Sequence, residues 1–87
     1  MFFVYILESE RDSTFYIGQS SDLTKRLEYH NTGLSKYTSK KTPWKLVYYE
    51  EYETRTEALK RERFLKKQKN RKFYQSLIKN WFGSSVG

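Results

Sequence analysis

The sequence predicts one small α+β domain, in which helices flank a three-stranded antiparallel β-sheet. Three segments rich in β-branched and aromatic residues predict the strands, at 2–7, 14–19 and 44–52. A short polar connector at 8–13 joins the first two strands, which makes that pair an antiparallel hairpin. Helix-start signals follow the second and third strands, so strands and helices are mixed along the chain.

The predicted hairpin brings two tyrosines to one face of the sheet. If its turn centres between Glu10 and Arg11, Tyr5 lies directly opposite Tyr16, and directly opposite residues share a face. An aromatic pair of this kind ordinarily stabilises a sheet by packing across the strands. The hairpin alone therefore favours a packing role for both tyrosines.

Capping residues predict where the first two helices begin. Residues 20–22 are all N-cap types, and a helix that begins there should stop at the Asn-Thr-Gly sequence at 31–33. Thr54 and Glu57 form a capping-box pattern, in which the side chain of each residue accepts a hydrogen bond from the backbone amide of the other. The helix that this box opens is expected to run to about Gln68.

A third helix is predicted near the end of the chain, with Asn70 as its cap. Its apolar residues recur at three- and four-residue spacing: Phe73, Tyr74, Leu77, Ile78 and Trp81. Gly83 is a suitable end for this helix, and residues beyond it should fray. We therefore expect one domain at 1–78, followed at 79–87 by the end of the last helix and a frayed tail.

The length of 87 residues and the lack of cysteine limit the possible classes of protein. The lack of cysteine excludes a disulfide framework, thiol catalysis and Cys-ligated zinc. No apolar run approaches the roughly 18 residues that span a bilayer, and the N-terminus has no basic region typical of a signal peptide. A cytoplasmic protein without a membrane partner is expected.

The positive charge of the chain is concentrated in one segment. The net charge is +7, and residues 55–72 contain nine basic and two acidic residues, which equals that whole excess. A local basic surface suggests a polyanionic partner, most simply nucleic acid. The alternatives are a solvated basic helix without a partner and a helix that lies on a membrane surface.

Glu62 is the most informative single residue of the capped helix. Helical spacing encloses it between Ala58, Leu59 and Leu65, on the face expected to pack against the sheet. A carboxylate on an apolar face is costly unless it is paired or bound to a cation. Glu62 could form a salt bridge with a nearby arginine, reach water at an edge, or bind a hard divalent cation, which prefers oxygen ligands.

Five side chains from adjoining elements could together cleave a phosphodiester bond. Such hydrolysis needs a group that activates water, a cation on the phosphate and often a metal ion. Residues of these types are Tyr5, Tyr16, Arg26, His30 and Glu62. Arg26 and His30 are four residues apart on the predicted first helix, so they project side by side.

These residues occur in motifs that resemble those of the GIY-YIG nuclease domains, in particular the small stand-alone bacterial ones. The motifs stand here, in order, as Phe3-Val4-Tyr5, Tyr16-Ile17-Gly18, Lys36-Tyr37-Thr38 and Glu57-Ala58-Leu59 followed by Glu62. Arg26 follows Tyr16 by ten residues, and His30 follows Arg26 by four, which matches the helix of that family. The resemblance extends from Met1 to about Ile78.

The resemblance implies divalent-metal-dependent DNA cleavage on a three-stranded sheet flanked by helices. By position, Glu62 would hold a single Mg²⁺ or Mn²⁺, and Arg26 would stabilise charge on the phosphate. Tyr16 would be the leading candidate for the general base, with Tyr5 and His30 orienting or assisting. Tyr37 would contact the phosphate or the water. His30 also stays a candidate base, because histidine titrates near neutral pH whereas tyrosine ordinarily ionises near pH 10.

DNA binding would then come from the basic helix and from the lysine-rich loop at 36–45. The candidate DNA-binding residues are Lys36, Lys40, Lys41, Arg61, Lys66, Lys67 and Lys69. A homo-oligomer or a larger repair complex is a further expectation about partners besides DNA.

Three functions follow from these observations. The first is a metal-dependent DNA endonuclease, selective for DNA structure and linked to repair or recombination. The second is a nucleic-acid-binding module that does not cut, which the basic segment at 55–72 alone would support. The third is a protein-interaction domain, since 18% of the residues are aromatic and could form an exposed patch.

Overall fold

The structure, a computed structural model, describes residues 1–33, 36 and 38–86, with the backbone alone for 81–86. Within these residues the chain forms three strands and three α-helices: β1 (Phe2–Ser9), β2 (Phe15–Ser20), α1 (Leu23–Asn31), β3 (Trp44–Tyr52), α2 (Arg55–Gln68) and α3 (Arg71–Val86). A 3₁₀ turn, Ser39–Lys41, precedes β3. This confirms the predicted α+β fold with an antiparallel sheet.

The first strand of the chain is the central strand of the sheet. The strand order is β2-β1-β3, and both pairings are antiparallel. Helices cover both faces of β1, so four consecutive residues, Val4 to Leu7, are at most 1% exposed. The outer side of β2 is an open sheet edge, and the candidate site is built around it.

The register of the hairpin differs from the predicted one. Tyr5 pairs with Gly18, whereas Tyr16 pairs with Leu7, so the prediction that the two tyrosines lie directly opposite was wrong. The turn is centred one residue later than expected, because Ser9 and Ser13 close it with a backbone hydrogen bond. A shift of two positions keeps side chains on the same face. The two tyrosine rings therefore still meet edge to face, with centroids 6.5 Å apart.

Each face of the sheet has its own core. The face covered by α2 and α3 holds the larger cluster, which comprises Val4, Ile6, Ile17, Val47, Tyr48, Ala58, Leu65 and Tyr74. The opposite face holds a smaller cluster of Tyr5, Leu7 and Trp44, against which Leu23 and Leu27 of α1 pack. The alternation of β1 side chains between these two clusters sends Tyr5 towards α1.

A β-bulge explains the unbroken apolar run in β3. The pairing of β1 with β3 shifts between Ile6 and Leu7, so that one residue of β3 has no direct partner. Val47 and its neighbour Tyr48 both enter the larger core as a result, while Leu46 and Tyr49 pack against the smaller one.

The helix caps are largely those that the sequence predicts. Asp22 caps α1 by accepting a hydrogen bond from the Lys25 amide, and Thr54 caps α2 by accepting one from the Glu57 amide. The side chain of Asn70 accepts from the Lys72 amide at the start of α3. The predicted end at Gly83 was wrong, because α3 continues through it to Val86. No helix in the described part of the chain is long and apolar enough to span a bilayer.

The cap of α2 can be tested by mutation. Thr54→Ala removes the acceptor that lies 3.2 Å from the Glu57 amide, so it should lower the free energy of unfolding by about 1 kcal/mol. Thr56→Ala in the exposed first turn of the same helix is the matched control, and it should leave stability unchanged or slightly raised. Urea denaturation measures both. Equal effects of the two substitutions would contradict the assigned cap.

Candidate active site

A buried chain of hydrogen bonds joins β1, α1 and the segment before β3. The Nε of Arg26 donates to the Tyr5 hydroxyl at 3.3 Å, and that hydroxyl lies 3.2 Å from His30 Nε2. His30 Nδ1 lies 2.9 Å from Thr38 Oγ1. Tyr5 is 1% exposed, and both His30 and Thr38 are fully buried. The structure thus brings together three of the predicted site residues, Tyr5, Arg26 and His30.

The protons along this chain can be assigned from the donors present. Tyr5 accepts from a guanidinium, which makes its own O–H group a stronger donor towards His30 Nε2. The imidazole then carries its proton on Nδ1 and donates it to Thr38 Oγ1. We assign this tautomer from the hydrogen-bond network.

Glycine at position 18 leaves room for the Tyr5 ring. A Cβ atom built on Gly18 would lie 2.5 Å from the Tyr5 hydroxyl oxygen and 2.7 Å from Cζ, much closer than carbon atoms normally approach. The ring has no free direction to move, because Arg26 and His30 both hold its hydroxyl. This close approach explains the glycine of the second tyrosine motif.

The end of α1 is fastened to β3 by an asparagine side chain. The Oδ1 of Asn31 accepts from the Trp44 amide at 2.6 Å, and its Nδ2 donates to the Trp44 carbonyl at 3.0 Å. The indole of Trp44 donates to the Thr38 carbonyl at 2.8 Å. These bonds fix the helix turn that carries His30 relative to the sheet. The sequence predicted Asn31 only as a helix stop.

Burial makes His30 hard to protonate and Tyr5 hard to deprotonate at neutral pH. Desolvation, helped by the charge of Arg26, lowers the pKa of His30 to about 4. Desolvation likewise raises the pKa of Tyr5 to about 12, although the hydrogen bond from Arg26 opposes it. The negative charge of Glu62 makes a smaller contribution to the rise in the pKa of Tyr5.

Tyr16 differs from Tyr5 in being partly exposed. It lies on the edge strand β2, with its ring edge to face against His30 at 4.8 Å between centroids and 6.1 Å from the Trp44 ring. Of the two site tyrosines, Tyr16 is therefore the one that a substrate can touch.

Arg26 is held at one end of its side chain and stacked on an aromatic ring. Its Cζ lies 4.6 Å from the centroid of the Tyr29 ring, and its hydrogen bond to Tyr5 raises its already high pKa. In the described part of the chain, no hydrogen bond occupies its two terminal amino groups. Those groups can therefore form the paired hydrogen bonds that a phosphate accepts.

Glu62 is partly buried, and its carboxylate is already paired. Its side chain is 15% exposed, and Oε2 lies 3.2 Å from the Nζ of Lys66 one helix turn later. An ion pair was one of the three alternatives predicted for Glu62, with an arginine as the partner, whereas the structure pairs it with Lys66. The alternative in which Glu62 reaches water at an edge is excluded, because so little of the side chain is exposed.

A divalent cation is compatible with this carboxylate. The described residues contain no group of three or more His, Cys, Asp or Glu side chains placed to hold a metal. Mg²⁺, however, is usually bound by one or two carboxylates together with water and substrate phosphates. The hard oxygen donor of Glu62 fits that mode, provided that Lys66 moves aside.

The candidate DNA-binding residues fall into two groups. Lys41 is paired with Asp12 at 3.3 Å, and Arg61 binds both carboxylate oxygens of Glu50, at 3.0 and 3.1 Å. Arg61 is thus held within the fold and is less available to a phosphate than the sequence suggests. Lys66 is paired with Glu62 but is also exposed, and the other exposed members are Lys36, Lys40, Lys67 and Lys69.

Two features of the site region were not predicted. Thr38 orients the imidazole of His30, although it was recognised only as the last residue of a tripeptide motif. Glu50 forms a partly buried cluster with Arg61, Tyr48 and Tyr52. Burial raises the pKa of Glu50, but the hydrogen bonds from Arg61 and the two tyrosines outweigh it and lower that pKa overall. Tyr37, the remaining predicted site residue, lies outside the described residues.

The protonation of His30 gives a direct test of the buried chain. His30 is the single histidine, so its ring signals in an NMR titration can be assigned without ambiguity. We expect a midpoint of about pH 4, against about 6.5 for an unfolded chain. Between these values only the unfolded chain binds the proton, so stability should fall on acidification through that window, by up to about 3 kcal/mol.

His30→Gln is the control for that pH dependence. It should flatten the stability curve between pH 4 and 6.5 and leave the decline at lower pH, where carboxylates titrate. A wild-type midpoint near 6.5 would show that His30 is solvated and would contradict the buried chain.

The chain is similar to a known protein family and to a solved structure. A family model described as the GIY-YIG catalytic domain matches residues 1–75. A solution NMR structure of a UPF0213 protein from Bacillus halodurans is similar, with a TM-score of 0.54 and 31% identity, over 91% of this chain and 84% of that one.

Curated relatives carry the same UPF0213 description. A UPF0213 protein of Streptococcus pneumoniae is 37% identical over 79 residues, covering 90% of this chain and 79% of the relative. One of Staphylococcus aureus is 49% identical over 61 residues, covering 69% of this chain and 73% of the relative. With the family match over most of the chain and the motif residues gathered in one site, the chain belongs to the GIY-YIG family, among its small bacterial UPF0213 members.

Proposed function

We propose that this chain is an endonuclease that hydrolyses phosphodiester bonds in DNA with the help of one divalent cation. The observation that carries the proposal is a fixed guanidinium, Arg26, held by the buried Tyr5 hydroxyl beside the partly exposed Tyr16. Membership of a nuclease family supports DNA as the substrate. A place in DNA repair or recombination stays a prediction, as does a cytoplasmic location.

Arg26 is proposed to bind the phosphate that reacts. Its terminal amino groups would donate to non-bridging phosphate oxygens, whose charge grows in the transition state. Because Tyr5 and the Tyr29 ring hold the guanidinium in place, little reorganisation is needed when the phosphate arrives.

Tyr16 is proposed as the group that takes the proton from the attacking water. The oxygen of Tyr16, in its deprotonated form, would accept that proton as the water oxygen attacks phosphorus and the bond to the leaving oxygen breaks. His30 is fully buried, and both of its ring nitrogens are already bonded, so it cannot reach a water molecule without opening the site. Tyr5 and His30 are therefore positioning residues.

Glu62 is proposed to hold the cation. A bound Mg²⁺ or Mn²⁺ would supply positive charge to the phosphate and the leaving oxygen. The carboxylate oxygen of Glu62 is a ligand type that both ions prefer, and the charge of Glu62 contributes to the raised pKa of Tyr5.

The ion pair of Glu62 with Lys66 favours one alternative. If Lys66 keeps the carboxylate at 3.2 Å, the chain would bind DNA through its basic surface without cutting it. This alternative and the proposed endonuclease differ in their dependence on Glu62, so one set of variants separates them.

Substitution of Glu62 and Arg26 tests the proposal. We expect Glu62→Gln and Arg26→Ala each to lower single-turnover cleavage of DNA by at least about 100-fold in Mg²⁺ or Mn²⁺, because each removes charge that stabilises the transition state. Glu53→Gln, at an exposed carboxylate before α2, is the control and should cleave like the wild type. Binding without cleavage, insensitive to Glu62→Gln, would establish the alternative.

The two tyrosines can be separated in the same assay. Tyr16→Phe should lower the cleavage rate by about 10²- to 10⁴-fold, as expected for loss of a proton acceptor. Tyr5→Phe should instead lower the free energy of unfolding by about 1–3 kcal/mol, since it leaves buried polar groups without a partner. Full activity of Tyr16→Phe would rule out Tyr16 as the base.

A further inference from the structure

A groove of about 420 Å³ opens beside the site, at the free edge of β2. It lies between that strand and the junction of α2 with α3, and it is lined by Phe15, Tyr16, Ile17, Lys66, Lys69 and Tyr74. Its lining residues are three aromatic residues, one isoleucine and two lysines. This is the combination that contacts a nucleotide, whose flat apolar base carries an anionic phosphate.

The backbone of Lys69 is in a conformation that favours glycine. Lys69 ends α2 with φ 45° and ψ 31°, in the left-handed region, where helices ordinarily place glycine. Its amide donates to the Tyr74 hydroxyl, which itself donates to the Leu65 carbonyl at 2.6 Å. A glycine would make the same backbone bond without strain. The fold therefore gives no reason for a lysine side chain at this position.

The groove is continuous with the candidate active site. Tyr16 lines the groove and also packs against His30 in the site. Lys66 lines the groove and also pairs with Glu62. A nucleotide in the groove would thus lie next to the phosphate that we propose to react.

We propose that this groove binds one unpaired nucleotide of the DNA substrate, with the Lys69 ammonium group on its phosphate. A base enters such a concave site only when it has left the stack of the double helix, so the substrate is DNA with a single-stranded segment at the cleavage point. A continuous duplex could touch the lysines but could not place a base against the partly exposed Phe15 and Tyr16. This inference rests on the proposed function for its place beside the reaction.

Lys69→Gly is the decisive variant, because the inference predicts opposite effects on folding and on binding. The melting temperature should stay the same or rise, since the left-handed strain is relieved. The affinity for a labelled single-stranded oligonucleotide, measured by fluorescence anisotropy, should fall about three- to tenfold. The slope of log K against log salt should become shallower by about 0.7, the value for one lost phosphate contact on a single strand.

Two controls match this variant. Ser13→Gly relieves the other left-handed non-glycine residue of the described chain, at φ 63°, without removing a group from the groove. Lys60→Ala removes the same charge from an exposed position of α2, and Lys60 does not line the groove. Both should bind the single strand like the wild type.

The binding and cleavage measurements separate this inference from the proposed function. Preference of the wild type for a single strand over a duplex of equal length, lost in Lys69→Gly alone, supports the groove even if no DNA is cut. Equal binding of both DNAs, or equal binding by Lys69→Gly and Ser13→Gly, overturns it even if cleavage is found. With active protein, cleavage should favour a flap over a continuous duplex, and Lys69→Gly should reduce that preference.

Discussion

The hydroxyl group of Tyr5 is the point on which the candidate site depends. It lies inside the protein on the central strand, where an unpaired hydroxyl would be costly, and Arg26 and His30 satisfy it. The same bonds hold a guanidinium at the surface and an imidazole in the interior. Gly18 completes the arrangement by leaving space for the ring. One buried hydroxyl thus determines the positions of groups from two strands and a helix.

The position of β2 at the edge of the sheet explains how two helices on opposite faces can serve one site. Arg26 and His30 come from α1, whereas Glu62 and Lys66 come from α2 across the sheet. Of the α2 groups, Glu62 contributes through its charge to the raised pKa of Tyr5 on the central strand. Tyr16 lies on that edge strand and has contacts towards both sides.

Features that depend on neighbouring residues could be predicted from the sequence, and features that depend on distant partners could not. The caps at Asp22 and Thr54 are local, and both were found. The hairpin register was missed because it depends on how Ser9 and Ser13 close the turn, which composition does not reveal. The family motifs predicted the candidate site residues. Their roles became distinguishable only through burial, which conceals His30 and leaves Tyr16 accessible.

The unpredicted parts involve charge partners far apart along the chain. Nothing near Glu50 in the sequence indicates that Arg61 will bind both of its oxygens. The positive charges of the basic segment are therefore less available to a partner in the fold than the sequence suggests. A count of positive residues overstates a nucleic-acid-binding surface whenever some of them neutralise carboxylates of the core.

The ion pair between Lys66 and Glu62 has a consequence for how the protein exists before it meets DNA. A partly buried carboxylate needs a positive neighbour, and this chain supplies one from its own helix. The carboxylate therefore has a counter-ion without a metal, unlike the ligands in domains that a metal holds together. Lys66 is the counter-ion of Glu62 in the folded chain. A divalent cation that arrives with a phosphate would replace Lys66 as that counter-ion.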